Sequence, residues 1–283
     1  MTRCFFVSDL HGREDRYRKL FAAIEEERPA AVLLGGDLLP SGLGMIGQYQ
    51  DFVRDFLAVE FGRLAEELGT LRPRVLLILG NDDPRSEEPP FAEFAERGLW
   101  EYIHERRVEL GPFAVYGYAY VPPTPFQLKD WERYDVSRHV DVGELSPEEG
   151  VRTVPVDPRV VRFATIAEDL QKLAGDKPME RAVFLFHAPP YQSKLDRAAL
   201  DGRMIDHVPL DVHVGSIAIR RFIQARQPLV TLHGHIHESA RLTGSWHERV
   251  GRTMCVSAAH DGDELALVRF DLESPQGATR DLL

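Results

Sequence analysis

The sequence predicts an α/β protein, built on a largely parallel sheet with helices outside it. Three observations lead there. Short β-prone apolar runs alternate with stretches of helical periodicity through the first third of the chain. The alternation resumes after residue 182. Five polar clusters rich in Asp, Asn and His each follow an apolar run, the edge at which open α/β sheets bind ligands.

The elements follow in order. Residues 3–8 read as a first strand, and 14–28 as a helix with Tyr17, Leu20, Phe21 and Ile24 on one face. Residues 30–34 form a continuous apolar run, as in a strand buried on both faces. Residues 48–68 form a long amphipathic helix with Phe52, Phe56, Val59, Leu64 and Leu68 inward, and 74–79 another buried strand. This βαβαβ order carries the parallel expectation. A helix over 91–100 and a hairpin of 107–110 with 113–120 come next. The prolines of 121–126 exclude a helix or central strand there, and the polar stretch 136–158 reads as loop. A helix over 160–173, a strand over 182–186, a helix to about residue 225 capped by Ser216, and strands at 229–232, 252–257 and 265–271 complete the series. The expected organisation is one domain over residues 1–273, with an irregular insertion at 82–178 and a tail at 274–283.

Composition narrows the function. The chain has 283 residues, 43% hydrophobic and 28% charged, and a net charge of −11. That balance disfavours extended nucleic acid as a partner, because phosphate neutralisation dominates such binding. It leaves room for a small phosphorylated substrate, since bound cations reverse the sign of a cleft locally. No apolar run reaches the ~20 residues that span a bilayer, so no membrane partner is expected. The N-terminal residues lack a secretion signal, and a cytoplasmic location is the expectation. Cys4 and Cys255 lie in apolar runs and read as buried free thiols. Oligomeric state is not legible.

The polar clusters are Asp9-Leu10-His11-Gly12, Gly35-Gly36-Asp37, Gly80-Asn81-Asp82-Asp83, His187-Ala188-Pro189-Pro190 and Gly234-His235-Ile236-His237. Imidazole and oxygen donors without thiolate suit manganese, iron, zinc, cobalt or nickel better than calcium. Glycines before Asp37, Asn81 and His235 let the backbone approach a crowded centre. Any one cluster is more often turn chemistry or a satisfied histidine than a ligand site; five of them in this order, each at a strand end, are hard to explain by turns.

The series Asp-x-His, Gly-Asp, Gly-Asn-x-Asp, His, Gly-His-x-His, from Asp9 to His237, resembles the signature of the calcineurin-like metallophosphoesterases. The resemblance implies a four-layer α/β/β/α sandwich with two mixed sheets. It implies two divalent ions per chain, with manganese expected first. Asp9, His11, Asp37 and His237 would hold one ion, and Asp37 would bridge to a second completed by Asn81, His187 and His235. It further implies hydrolysis of a phosphate ester by in-line attack of a hydroxide between the ions, with no protein nucleophile. A phosphodiesterase is the first expectation. A phosphoprotein or small-molecule phosphomonoesterase, and a non-catalytic metal-binding scaffold for a protein partner, are the rivals.

One position departs from the family pattern. A histidine usually follows the asparagine of the third motif and assists the leaving group; here it is Asp82. Asp82 stays protonated as the acid, or makes a structural bond, or belongs to an enzyme whose leaving groups need little protonation. Substrate contacts are proposed at Arg13, Tyr191 and Lys194, with Arg85 behind them. Tyr116, Tyr118, Tyr120, Phe126, Trp131 and Tyr134 either stack on a base, as a nucleotide substrate would require, or pack internally. The loop 42–47 and the segment 136–158 are open to dimer contacts or lid motion.

Overall fold

The computed structural model describes residues 2–40 and 51–283. The loop 42–47 and the first residues of the expected 48–68 helix lie outside the described residues. In chain order the elements are β1 (Arg3–Val7), α1 (Glu14–Glu27), β2 (Ala31–Gly35), α2 (Ala58–Leu68), β3 (Arg74–Ile78), α3 (Glu88–Glu96) and β4 (Glu101–Tyr102). There follow β5 (Arg106–Leu110), β6 (Phe113–Tyr118), α4 (Pro158–Phe163), α5 (Ile166–Ala174), β7 (Ala182–Phe186) and the hairpin β8 (Met204–Ile205) with β9 (Val208–Pro209). The chain ends with α6 (Ile217–Arg226), β10 (Val230–His233), α7 (Ser239–Thr243), β11 (His247–Val250), β12 (Thr253–Ser257), β13 (Ala266–Asp271) and β14 (Thr279–Leu282).

Two six-stranded sheets form the centre, ordered β14-β13-β1-β2-β3-β4 and β11-β12-β10-β7-β6-β5. The two mixed sheets that the resemblance implies are present, and the parallel order expected from the βαβαβ alternation holds at the centre of each. Each sheet has four parallel strands, β1 to β4 in one and β12, β10, β7 and β6 in the other, flanked by antiparallel strands. The flanking strands arise from direct reversals such as the β5–β6 turn, which a parallel pair cannot use. Residues 274–283, expected as a tail, include β14, which pairs with β13 at the sheet edge.

The apolar runs explain the layers. Side chains of β2 and β7 are buried throughout, so each sheet is covered on both faces. The sheets face each other where β2 meets β7 and β3 meets β6. Outside the first sheet, Tyr17 and Phe21 of α1 pack on Phe56 at 5.7 and 6.4 Å, and Phe61 of α2 packs on Trp100 at 5.7 Å. Outside the second, Phe222 of α6 meets Phe184 of β7 at 4.8 Å. The helix expected over 160–173 divides into α4 and α5, because Thr165 is extended and caps α5 through the Glu168 amide. Thr165 and Glu168 stand in capping-box spacing. Ser216 caps α6 as expected, accepting from the Ile219 amide at 3.0 Å.

Candidate metal centre

The clusters after β1, β2, β3, β7 and β10 converge on one edge of the paired sheets. Asp9, His11, Asp37 and His235 all have φ between 48° and 74°. Left-handed backbone at four non-glycine residues costs of order 1–3 kcal/mol each, the kind of strain that collects at functional sites. It turns each chain back over its own strand end. A Cβ at Gly80 would lie 2.2 Å from Asp37 Oδ1, and one at Gly234 2.0 Å from Ser8 Oγ and 2.7 Å from Asp9 Oδ2. Only glycine allows these loops to close so tightly on the two carboxylates.

Asp9, His11, Asp37 and His237 offer ligand atoms all within 4.8 Å of one another. His11 Nε2 lies 3.2 Å from His237 Nε2 and 3.9 Å from Asp37 Oδ2, and His237 Nε2 lies 3.3 Å from Asp9 Oδ1. On the other side of Asp37, His187 Nε2 is 3.2 Å from Asp37 Oδ2 and 3.0 Å from Asn81 Oδ1, with the His235 ring centred 5.2 Å from that of His187. His187 Nδ1 donates to the Gly35 carbonyl at 2.8 Å, which aims Nε2 inward. Asp9 Oδ2 and His11 Nδ1 are buried with no hydrogen-bond partner. Orphaned buried donors and acceptors, two carboxylates and a mixed nitrogen–oxygen set fit divalent cations.

The charge balance agrees. Burial alone would raise Asp9 and Asp37, yet His237 beside Asp9 and His187 beside Asp37 hold both below the ordinary carboxylate range. Burial would lower His187 and His237, but Asp37 brings His187 up to about 10 and Asp9 brings His237 up to about 9. His235 falls to about 3, through burial and the neighbouring His187.

Asp82 lines the centre. Its amide donates to Asp37 Oδ1 at 2.9 Å, its Oδ1 accepts from Asn81 Nδ2 at 3.0 Å, and its Oδ2 lies 3.7 Å from His11 Nδ1. Burial and the Asp37 charge raise its pKa.

Two supporting residues were given no role by the sequence reading, Asp83 although it belongs to the third motif and Arg16 altogether. Asp83 accepts from the amides of Leu38, Leu39 and Gly80 at 2.8–2.9 Å, fastening the second motif loop to the third. Arg16 is buried and donates to the carbonyls of Asp9 and Gly262 at 2.6 and 2.5 Å. Its signal was present: 16, 20 and 24 are successive positions of one stripe of α1, and an arginine on an apolar stripe has a buried task.

A cleft of about 290 Å³ opens beside Asp37, Asn81, Asp82, His235 and His237. Its walls come from Pro123 to Phe126 on one side and Ala198, Leu200, Val214 and Ile236 on the other. Arg13, Tyr191 and Lys194 are not among its lining residues. Arg13 pairs with Asp263 at 2.9 Å and Asp15 at 3.3 Å. Tyr191 donates to Asp211 at 2.6 Å and lines the adjacent cavity, and the Lys194 carbonyl accepts from Ser239 at 2.7 Å. Arg85 lies over the Trp131 ring and pairs with Glu88. Tyr116, Tyr118, Tyr120, Trp131 and Tyr134 are buried, so internal packing holds for them, whereas Phe126 is 55% exposed on the cleft. His233 is a satisfied core histidine, bonded to the Ala188 carbonyl and Thr231. His213 contacts Asp196, and His207 is exposed in the β8–β9 turn.

No helix among the described residues is long and apolar enough to cross a membrane. No curated protein matches the sequence. One crystal structure superposes with a TM-score of 0.61 at 18% identity, over 99% of this chain and 98% of its own. The crystal structure of TT1561 of Thermus thermophilus superposes at 0.58 and 19%, over 99% and 98%. At these identities the likeness is one of fold. Residues 2–239 match the calcineurin-like phosphoesterase model, which spans every motif described above, and the chain belongs to that family.

Proposed function

We propose that this protein is a dinuclear metal-dependent phosphodiesterase. The observation that carries the reading is the position of Asp37, whose Oδ2 lies between His11 Nε2 at 3.9 Å and His187 Nε2 at 3.2 Å and so serves two donor groups. Asp9, His11, Asp37 and His237 would hold one ion, and Asp37, Asn81, His187 and His235 the other. When bound, such a pair supplies a water of lowered pKa as nucleophile and neutralises charge on the phosphoryl oxygens. Manganese is the proposed ion.

The chain's own residues fix the rest. The Gly35 carbonyl sets the His187 tautomer, and the Arg16 bond to the Asp9 carbonyl holds the first loop. We assign to Asp82, which stands beside Asn81 and Asp37 where the usual histidine is missing, the proton for the leaving oxygen. A diester fits better than a monoester, because none of the described residues lining the cleft is Lys or Arg to meet a second phosphate charge.

The test is hydrolysis of bis-p-nitrophenyl phosphate by metal-stripped protein reloaded with manganese, beside His187→Ala. Metal-dependent turnover that the variant loses is expected. No turnover with two ions bound per chain would refute catalysis and favour a binding scaffold.

A further inference from the structure

A cavity of about 300 Å³ adjoins the metal cleft and shares Pro123, Glu144 and Val214 with it. His213, which the proposed reaction does not use, lines this cavity. Two hydrogen bonds fix it. Its amide donates to Asp211 Oδ1 and its Nδ1 to Asp196 Oδ1, both at 2.8 Å. Asp196 is fully buried, and its oxygens also accept from the amides of Gln192, Ser193 and Gly215. A carboxylate so engaged is an acceptor, so the ring hydrogen sits on Nδ1 and the lone pair on Nε2. That nitrogen makes no hydrogen bond among the described residues.

The segment bearing His213 is tied to the metal centre. Ser216 donates its amide to the Pro189 carbonyl at 2.8 Å, two residues past the proposed ligand His187. Three residues of chain span at most about 10 Å, which keeps His213 within that length of the ligand loop. The facing wall is held as firmly. Buried Lys129 bonds the Thr124 carbonyl, beside Pro123, at 2.8 Å and Glu132 at 2.5 Å.

The other titratable groups of the cavity are engaged or uncharged. Asp135 accepts from Ser216 Oγ at 2.5 Å and from the Ile217 amide at 2.7 Å. Asp141 pairs with His139 at 3.1 Å, and Tyr191 donates to Asp211 at 2.6 Å. Burial, with Asp141 nearby and against the pull of Lys129, raises Glu144 to about 8, so its carboxyl is mostly protonated at neutral pH. A second phosphate on the substrate would meet the charges of Asp135 and Asp141, and an ammonium group would find Glu144 mostly neutral. A hydroxyl suits what is left open, because it can donate to a neutral imidazole and accept from a protonated carboxyl.

Resting on the phosphodiesterase reading above, we infer that His213 is a specificity-determining residue that selects a diester whose retained alcohol carries a free hydroxyl several atoms from phosphorus. The phosphodiester lies at the metal centre, the retained arm passes between Pro123 and Val214, and its hydroxyl donates to His213 Nε2. Val136, Val214 and Ile217 line the path of its carbon chain.

The test compares p-nitrophenyl 4-hydroxybutyl phosphate with p-nitrophenyl pentyl phosphate, in which a methyl group replaces the hydroxyl, with bis-p-nitrophenyl phosphate alongside. Both alkyl esters release p-nitrophenolate, which needs no proton, so the pair isolates the retained arm. The full chain loaded with manganese should favour the hydroxy ester by about fivefold in kcat/KM, the worth of one hydrogen bond. His213→Phe keeps a ring at this partly exposed position and removes Nε2, and it should bring the ratio to about one or below. His213→Ala should do the same. Each ratio is taken within one protein, so a general loss of activity in a variant cancels. A ratio near one in the unsubstituted protein, or a ratio that either variant leaves unchanged, would overturn the role of His213 alone. No metal-dependent turnover of any of the three esters would overturn the phosphodiesterase reading and this assignment with it.

Discussion

His187 and His237 set the proton balance of the centre. Both are raised, to about 10 and about 9, so the metal-free site holds both protons at neutral pH. Cations must displace them, and their affinity should climb as pH rises from 6 to 9, by up to about tenfold per unit for each proton released. Calorimetric titration of manganese in buffers of different ionisation enthalpy counts those protons; a proton-free, pH-flat isotherm would contradict the balance described. The same shifts stabilise the metal-free fold fully below the ordinary histidine range, and that contribution fades as pH rises through the raised values. Asp82→His should raise kcat on alkyl diesters more than on nitrophenyl esters, because a good leaving group needs no proton. If the same substitution abolishes turnover with metals still bound, the carboxyl itself is needed. Arg16 acts one step further out. Arg16→Met should weaken metal binding about 10- to 100-fold, the usual effect of losing a residue that orients a ligand, while Arg18→Met on the same helix should not.

Among the elements, the loops do more than connect. The Lys129–Glu132 pair lies at zero exposure and fixes the Thr124 loop. Lys129→Met alone should destabilise the protein by about 3–5 kcal/mol, since it strands a buried carboxylate, and Glu132→Leu added to it should restore part of that loss. Denaturant titration of the three variants checks the non-additivity. Element types were readable in the sequence wherever a signal is local: the apolar runs of β1, β2, β3, β7 and β10, the Ser216 cap, and the polar clusters at the strand ends. Thr165, which divides α4 from α5, carried a local signal that helical periodicity hid. The arrangement of two sheets was not local, because strand partners are chosen by the whole chain, and only the family resemblance supplied it. Short edge strands such as β4 and β14 have polar, half-exposed faces and so no apolar pattern. For the same reason the positions proposed as ligands could be named from sequence, while most of the cleft walls could not: Glu144, Ala198 and Leu200 meet only after folding, and Phe126 stood out from the other candidate aromatics only by its exposure.

Across the whole molecule, the centre straddles the two sheets. Asp9, His11, Asp37 and Asn81 follow strands of the first, and His187, His235 and His237 follow strands of the second. Cations held there would clamp one sheet to the other, so their free energy of binding becomes stability of the entire fold. At a free concentration 1,000-fold above Kd that amounts to about 4 kcal/mol, or roughly 8 °C in Tm for a chain of this size. Two buried thiols report where the gain falls. Cys4 lies in β1 of the first sheet and Cys255 in β12 of the second, both fully buried and pushed up to about 12, chiefly by burial. Neither should react with a thiol reagent until its sheet opens. If the centre joins the sheets, stripping the metal should speed labelling of Cys4 and Cys255 by the same factor, because one opening exposes both. Acceleration confined to one thiol would show that the sheets open separately and that the ions brace only one of them.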